Sequence, residues 1–186
     1  IAWPGPFQTY EVDRVAFKRN KYGILDLASR GARIIRNTFT LPDLGPGTTD
    51  MVGLYLDQSS GYIVEENEYT GIASLGLGVG IYFNGTQKAE NRIYNNKFND
   101  LYAGTLVNGR HKGNTEGTEF QGLQLLCGDY TSNVIDFGLN ANTYIKQDQG
   151  TVVDVDPVRT QLAGNRWLDP ADLTTSWDIF IDDDQP

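Results

Sequence analysis

The feature that most restricts this chain is a phrase of six residues that recurs along it. An apolar residue is followed by two variable residues, an Asn, one variable residue and an aromatic. Copies stand at Phe17–Tyr22, Ile34–Phe39, Val64–Tyr69, Ile93–Phe98, Leu139–Tyr144 and Leu162–Trp167. The Asn positions are Asn20, Asn37, Asn67, Asn96, Asn142 and Asn165, spaced 17, 30, 29, 46 and 23 residues apart. The long gap divides into 22 and 24 if Thr118-Glu119-Phe120 is a degenerate copy. Internal repetition at this period marks an array in which no unit closes a core alone.

A second phrase lies between these copies: a Gly, then apolar, variable, apolar, often ending in Asp or Asn. It reads Gly53-Leu54-Tyr55-Leu56-Asp57, Gly80-Ile81-Tyr82-Phe83-Asn84 and Gly104-Thr105-Leu106-Val107-Asn108. Gly122-Leu123-Gln124-Leu125 continues it, and Gly23-Ile24-Leu25-Asp26-Leu27 is a weaker first copy with an open register. Alternation over four or five residues marks short strands with one buried face. Helical periodicity is nearly absent, and units of this length are short for propeller blades, which need about 40 residues. The reading is all-β, a right-handed parallel β-helix (a solenoid) of about seven coils. Leu54, Leu56, Ile81, Phe83, Val107, Leu123 and Leu125 are expected to point inward. Phe39, Tyr69 and Phe98 are expected to stack in a column. Asn tolerates left-handed geometry at a tight bend, and its amide can bond main-chain groups, so the Asn residues are expected to form a ladder along one corner.

The two phrases resemble the right-handed β-helix repeat proteins of the pectate-lyase-like superfamily. Gly53–Asp57, Tyr62–Asn67 and Gly122–Cys127 are similar to stretches of large exported surface proteins of Bacteroidota, many of which carry a C-terminal type IX secretion sorting domain; no such domain is recognisable here. The resemblance covers about 12–168. Residues 1–11 read as an extended entry and 169–186 as a C-terminal strand, Trp177–Asp182, with an acidic exit. Neither end reads as a finished cap, so the segment is expected to be part of a longer chain. The resemblance implies a secreted or cell-surface location, and a fold shared by lyases, hydrolases, adhesins and structural proteins.

The formal net charge of −9 repels phosphate backbones and anionic lipid, so nucleic acid is excluded as a partner. The longest apolar runs are far too short for membrane insertion. Cys127 is the only cysteine and sits beside an apolar run, so it reads as a core residue and rules out an intrachain disulfide.

Lyases on this fold need a base, and often calcium held by carboxylates. The candidates are Arg110, His111 (the only His) and Lys112 in a Gly- and Asn-rich loop, and Asp154 and Asp156, which alternate with Val153 and Val155 on one strand face. Each also reads as a solvated loop or a wet strand face. Glu65 and Glu66 are adjacent and would face opposite ways. Asp182–Asp184 read as a tail, with calcium binding the alternative. No residue set reads as a resident metal or cofactor site. Aligning the second phrase stacks Tyr55, Tyr82 and Leu106, and with them Leu25, on an outer face. Such a column is covered by the chain's own loops, meets another subunit, or stacks on sugar rings, with Tyr55 and Tyr82 as the ligand-binding residues. The reading is a non-enzymatic repeat segment of an exported bacterial surface protein, a scaffold or adhesin whose partner is a polysaccharide or a surface protein. The alternative is a polysaccharide lyase or glycoside hydrolase.

Overall fold

A computed structural model describes residues 9–42, 51–71, 78–85, 89–112, 121–140, 143–146, 151–152, 160–161, 165–168 and 177–181. They form strands, with no helix among the described residues. Three parallel sheets stack along one axis. The first holds Glu11–Asp13, Arg33–Ile35, Ile63–Glu65, Asn91–Tyr94 and Leu123–Leu126. The second holds Ala16–Lys18, Thr38–Thr40, Glu68–Thr70, Lys97–Asn99, Asp129–Thr131 and Arg166–Leu168. The third holds Tyr22–Leu27, Val52–Asp57, Val79–Asn84, Ala103–Val107, Ile135–Leu139 and Trp177–Ile181. The chain visits the three sheets in turn and returns one strand further along, which makes a parallel β-helix, right-handed as parallel crossovers are. Against about seven expected coils, the described residues give six strands in two sheets and five in the other. A two-residue antiparallel pair, Thr151–Val152 with Thr160–Gln161, stands apart from the stack.

The strands of the first two sheets are mostly three residues long because a single left-handed residue turns the chain between them. Arg14, Arg36, Glu66, Asn95 and Cys127 hold this corner, with φ between 53 and 56°. Left-handed geometry costs a non-Gly residue about 1–2 kcal/mol. Inter-coil bonding offsets it: Arg36 N–H donates to Glu65 O, Glu66 N–H to Tyr94 O and Asn95 N–H to Leu126 O, at 2.9–3.0 Å. The ladder thus runs unbroken through the bend. Cys127 is half-buried at this corner rather than in the core.

The Asn residues follow the left-handed residue; they do not adopt its conformation. Asn37 Nδ2 donates to Val12 O, Asn67 Nδ2 to Ile34 O, and Asn96 Nδ2 to Val64 O, at 2.8–2.9 Å. Each side-chain oxygen in turn accepts a backbone N–H from the preceding coil: Val15 to Asn37, Asn37 to Asn67, Asn67 to Asn96, all at 2.9 Å. The first rung is therefore Val15, and Asn20 lies exposed off the ladder. The rung above Asn96 is Gly128, two residues before Tyr130, which replaces the copies expected at Phe120 and Tyr144. A Cβ at Gly128 would lie 2.8 Å from Tyr130 Cε2, so the ladder skips a side chain there. It resumes where Gly128 N–H donates to Asn165 Oδ1 at 2.8 Å. Asn142 and Phe120 lie outside the described residues, and Tyr144 is exposed.

Two residues after each rung comes an inward aromatic. Phe17, Phe39, Tyr69, Phe98 and Tyr130 stack with centroids 4.8, 4.6, 5.1 and 4.7 Å apart, their planes within 13° of parallel. That column explains the glycine of the second phrase. A Cβ on Gly53, Gly80 or Gly104 would lie 2.7 Å from a ring carbon of Tyr69, Phe98 or Tyr130. The third sheet can approach the rings only where a side chain is missing. Leu54, Leu56, Ile81, Phe83, Val107, Leu123 and Leu125 are all buried as expected. Two assignments change. Gly122–Leu125 belongs to the first sheet, where Leu123 pairs with Asn91. The Gly23 copy is in register, with Ile24 opposite Leu54 and Leu25 opposite Tyr55.

Candidate functional site

The outer face of the third sheet carries the expected column. Leu25 pairs with Tyr55, Tyr55 with Tyr82, Tyr82 with Leu106, and Leu106 with Gly138, which has no side chain and pairs onward with Phe180. A second apolar row, Val52, Val79, Ala103 and Ile135, runs beside it and packs with Tyr55, Tyr82, Leu106 and Val134, separate from the interior core. An outward strand face is usually polar; here it holds a second small core. Exposure is concentrated in the first coil, with Tyr22 at 37 %, Leu25 at 50 % and Leu27 at 51 %.

A polar row borders the aromatics. Asn108 Nδ2 donates to Asn84 Oδ1 at 2.8 Å, and Asn84 Nδ2 donates to Asp57 Oδ1 at 3.2 Å. The Tyr55 hydroxyl bonds to Asn84 and that of Tyr82 to Asn108. Burial, with the Asp57 charge behind it, raises both phenols above their ordinary range, so both remain neutral donors. Tyr55 and Tyr82 stack on each other, centroids 5.2 Å apart, and Tyr22 meets Tyr55 edge to face at 5.8 Å. Their faces are turned toward one another along the rod. What they offer a ligand is ring edges beside an amide–carboxylate row, not the open faces that sugar stacking uses.

The basic candidates separate. The His111 side chain is buried, 1 % exposed, with Nε2 3.0 Å from Asn108 O and the ring edge-on to Phe83. A carbonyl only accepts, so Nε2 carries the proton. Burial pushes the His111 pKa below its ordinary 6.5, against the pull of that carbonyl. Arg110 is exposed, its guanidinium 5.0 Å over the Tyr144 ring. Lys112 is half-buried and bridges backbone to Gly122. Asp154, Asp156 and Asp182–Asp184 lie outside the described residues. Glu65 pairs with Arg92 at 2.6 Å, while Glu66 is a corner residue. On the same sheet Arg36 grips Asp13 through two bonds of 2.8 Å. Among the described residues no group of three or more His, Cys, Asp or Glu gathers as a metal site would require.

Sequence reasoning missed two buried carboxylates among the described residues, Asp136 and Asp26. Asp26 occupies the inward position that Leu56 holds in the next coil and is 4 % exposed. Ser29 Oγ donates to its carboxylate at 2.6 Å and the Tyr10 hydroxyl also bonds to it, while Ser59 Oγ donates to the Asp26 main-chain oxygen at 3.3 Å. Desolvation raises its pKa despite those bonds. The signal was present: Asp stands where the phrase calls for an apolar residue.

Compared with known proteins, residues 12–133 match the family model described as "NosD: Periplasmic copper-binding protein (NosD)". No curated protein and no solved structure matches the chain.

Proposed function

The chain belongs to the NosD family, and on that premise we propose that it is a repeat rod working outside the cytoplasm, a scaffold or adhesin that meets its partner through the third sheet. The family is described as periplasmic, in keeping with the expected secreted or cell-surface setting. No helix among the described residues is long and apolar enough to cross a membrane. One observation carries the finer reading. Exposed Leu25 continues the half-buried Tyr55–Tyr82–Leu106 column, with exposed Tyr22 opposite Val52 and exposed Leu27 opposite Asp57 on either side, so the first coil presents one outward apolar patch. Contiguous apolar surface on a soluble rod marks a place of contact. The Asp57–Asn84–Asn108 row beside it supplies acceptors and amide donors suited to a hydroxyl-rich polysaccharide or a protein surface.

The test is a Leu25→Lys/Leu27→Lys variant. Both side chains are about half exposed, so the melting temperature should move little. Retention on a polysaccharide panel, or co-sedimentation with isolated cell envelopes, should fall at least tenfold. Unchanged retention would overturn the reading. So would release of unsaturated or reducing sugars that His111→Ala or Asp154→Ala abolishes, which would move the protein to the lyase or hydrolase alternative. The placement of His111 inside and Arg110 outside gives that alternative no converging pair.

A further inference from the structure

We infer that this chain shares the family's coil but does not hold copper through its own side chains. Copper sites in proteins are assembled from several imidazole, thiolate or thioether donors, which select the metal by softness and geometry. The whole sequence offers one His, one Cys and one Met. All three stand among the described residues, and the fold sends each to a different corner of the coil.

Met51 immediately precedes the third-sheet strand Val52–Asp57 and is fully buried. His111 follows the third-sheet strand Ala103–Val107, on the way back to the first sheet. Cys127 turns the chain between first and second sheets, at a φ of 54°. The three donors thus lie on the second-to-third, third-to-first and first-to-second corners, and also in different coils. No side-chain rotation joins them; bringing two onto one ion would mean taking the stack apart.

His111 alone makes a poor substitute. Its Nε2 proton is committed to Asn108 O, which leaves the buried, unpartnered Nδ1 able to give a metal a single bond, but among the described residues no group of three or more His, Cys, Asp or Glu gathers to complete a site. Phe83 stands edge-on to the ring. Among the described residues the buried carboxylates are engaged elsewhere: Asp26 with hydroxyls in the first coil, and Asp136 with Asn133 Nδ2 at 2.9 Å. All three soft donors fall within the matched residues 12–133, so the match is carried by the repeat and not by a donor set.

The experiment is a competition for copper. The intact chain is mixed at 1:1 with Cu(I) in the presence of bicinchoninate under anaerobic conditions, and with Cu(II) in the presence of a glycine buffer. Wild type, His111→Ala and Cys127→Ser are compared. The expected result is that the competitor keeps the metal in every case, and that melting temperatures are the same with and without copper. One equivalent withheld by the wild-type chain, together with a rise in its melting temperature, overturns the inference. Loss of that effect in either variant would identify the ligand.

Discussion

Asn67 and Asn96 share one oxygen. The backbone N–H and the side-chain Nδ2 of Asn67 both donate to Asn96 Oδ1, each at 2.9 Å. The Asn67 oxygen is used in the same way by Asn37. Each amide therefore clamps the coil on either side of it.

Removing one clamp should be costly. Asn67→Ala strips Asn37 of its acceptor and frees Ile34 O inside the stack. We expect a loss of about 1–3 kcal/mol, read from the denaturant midpoint. Asn20→Ala, off the ladder and exposed, should stay within about 0.5 kcal/mol. Equal effects at the two sites would contradict the ladder.

The ring column and the glycine column should behave as one unit. Phe98→Ala should cost about 3–5 kcal/mol. Gly80→Ala should cost about 1–3 kcal/mol by overpacking, since its Cβ would lie 2.6 Å from the Gly104 carbonyl oxygen and 2.7 Å from the Phe98 ring. In the double variant the two costs should fall short of additivity, because the ring that the new methyl meets is gone, while the clash with the Gly104 carbonyl remains.

Asp26 should make stability fall as pH rises. Its folded pKa lies above the ordinary 3.8, so the folded state holds a proton that the unfolded state releases. The contribution is fully present below about pH 4 and is lost as pH climbs through the raised value. Asp26→Asn should gain on wild type between acidic and neutral pH, measured as the difference in melting temperature at each pH. A constant difference across that range would refute the coupling.

His111 should act in the opposite sense. Its pKa is pushed below 6.5, so its contribution is present above that value and lost as pH falls through the lowered one. His111→Gln should therefore lose less stability than wild type on acidification below about pH 6.5. Parallel melting curves for the two proteins would rule this out.

The repeated parts of the fold were legible because repetition exposes them. Ile81 and Phe83, or Leu54 and Leu56, recur at period two, and the aromatic at Phe39, Tyr69 and Phe98 recurs with its Asn. The outer alignment of Tyr55 with Tyr82 followed from the same register. What escaped was whatever the repeat does by backbone alone. The left-handed corner is held by Arg36, Glu66, Asn95 and Cys127, because inter-coil bonds that any residue can make compensate the geometry. Gly128 hid a rung by having no side chain. Val15 hid another by using only its N–H. His111 and Asp26 looked like solvated or misregistered residues, since nothing local tells that a polar side chain turns inward. The orientation of the tyrosine faces also depends on packing between coils, which one strand's sequence does not carry.

The bonds that join coils, such as Glu66 N–H to Tyr94 O and Gly71 N–H to Asn99 O, point along the rod. Tension applied between its ends therefore pulls each strand directly away from its neighbour, bond by bond, and does not shear whole sheets at once. Such a rod yields by peeling from a loaded end, at modest force and one turn at a time. Successive rungs are 22 residues apart from Val15 to Asn37, 30 and 29 from Asn37 through Asn67 to Asn96, and 37 from Gly128 to Asn165, so a released turn should lengthen the tether by about 80–130 Å at about 3.5 Å per residue. Mechanically, the stack is a line of extensible links of unequal length, and force spectroscopy should show it as a staircase whose steps differ with the coil.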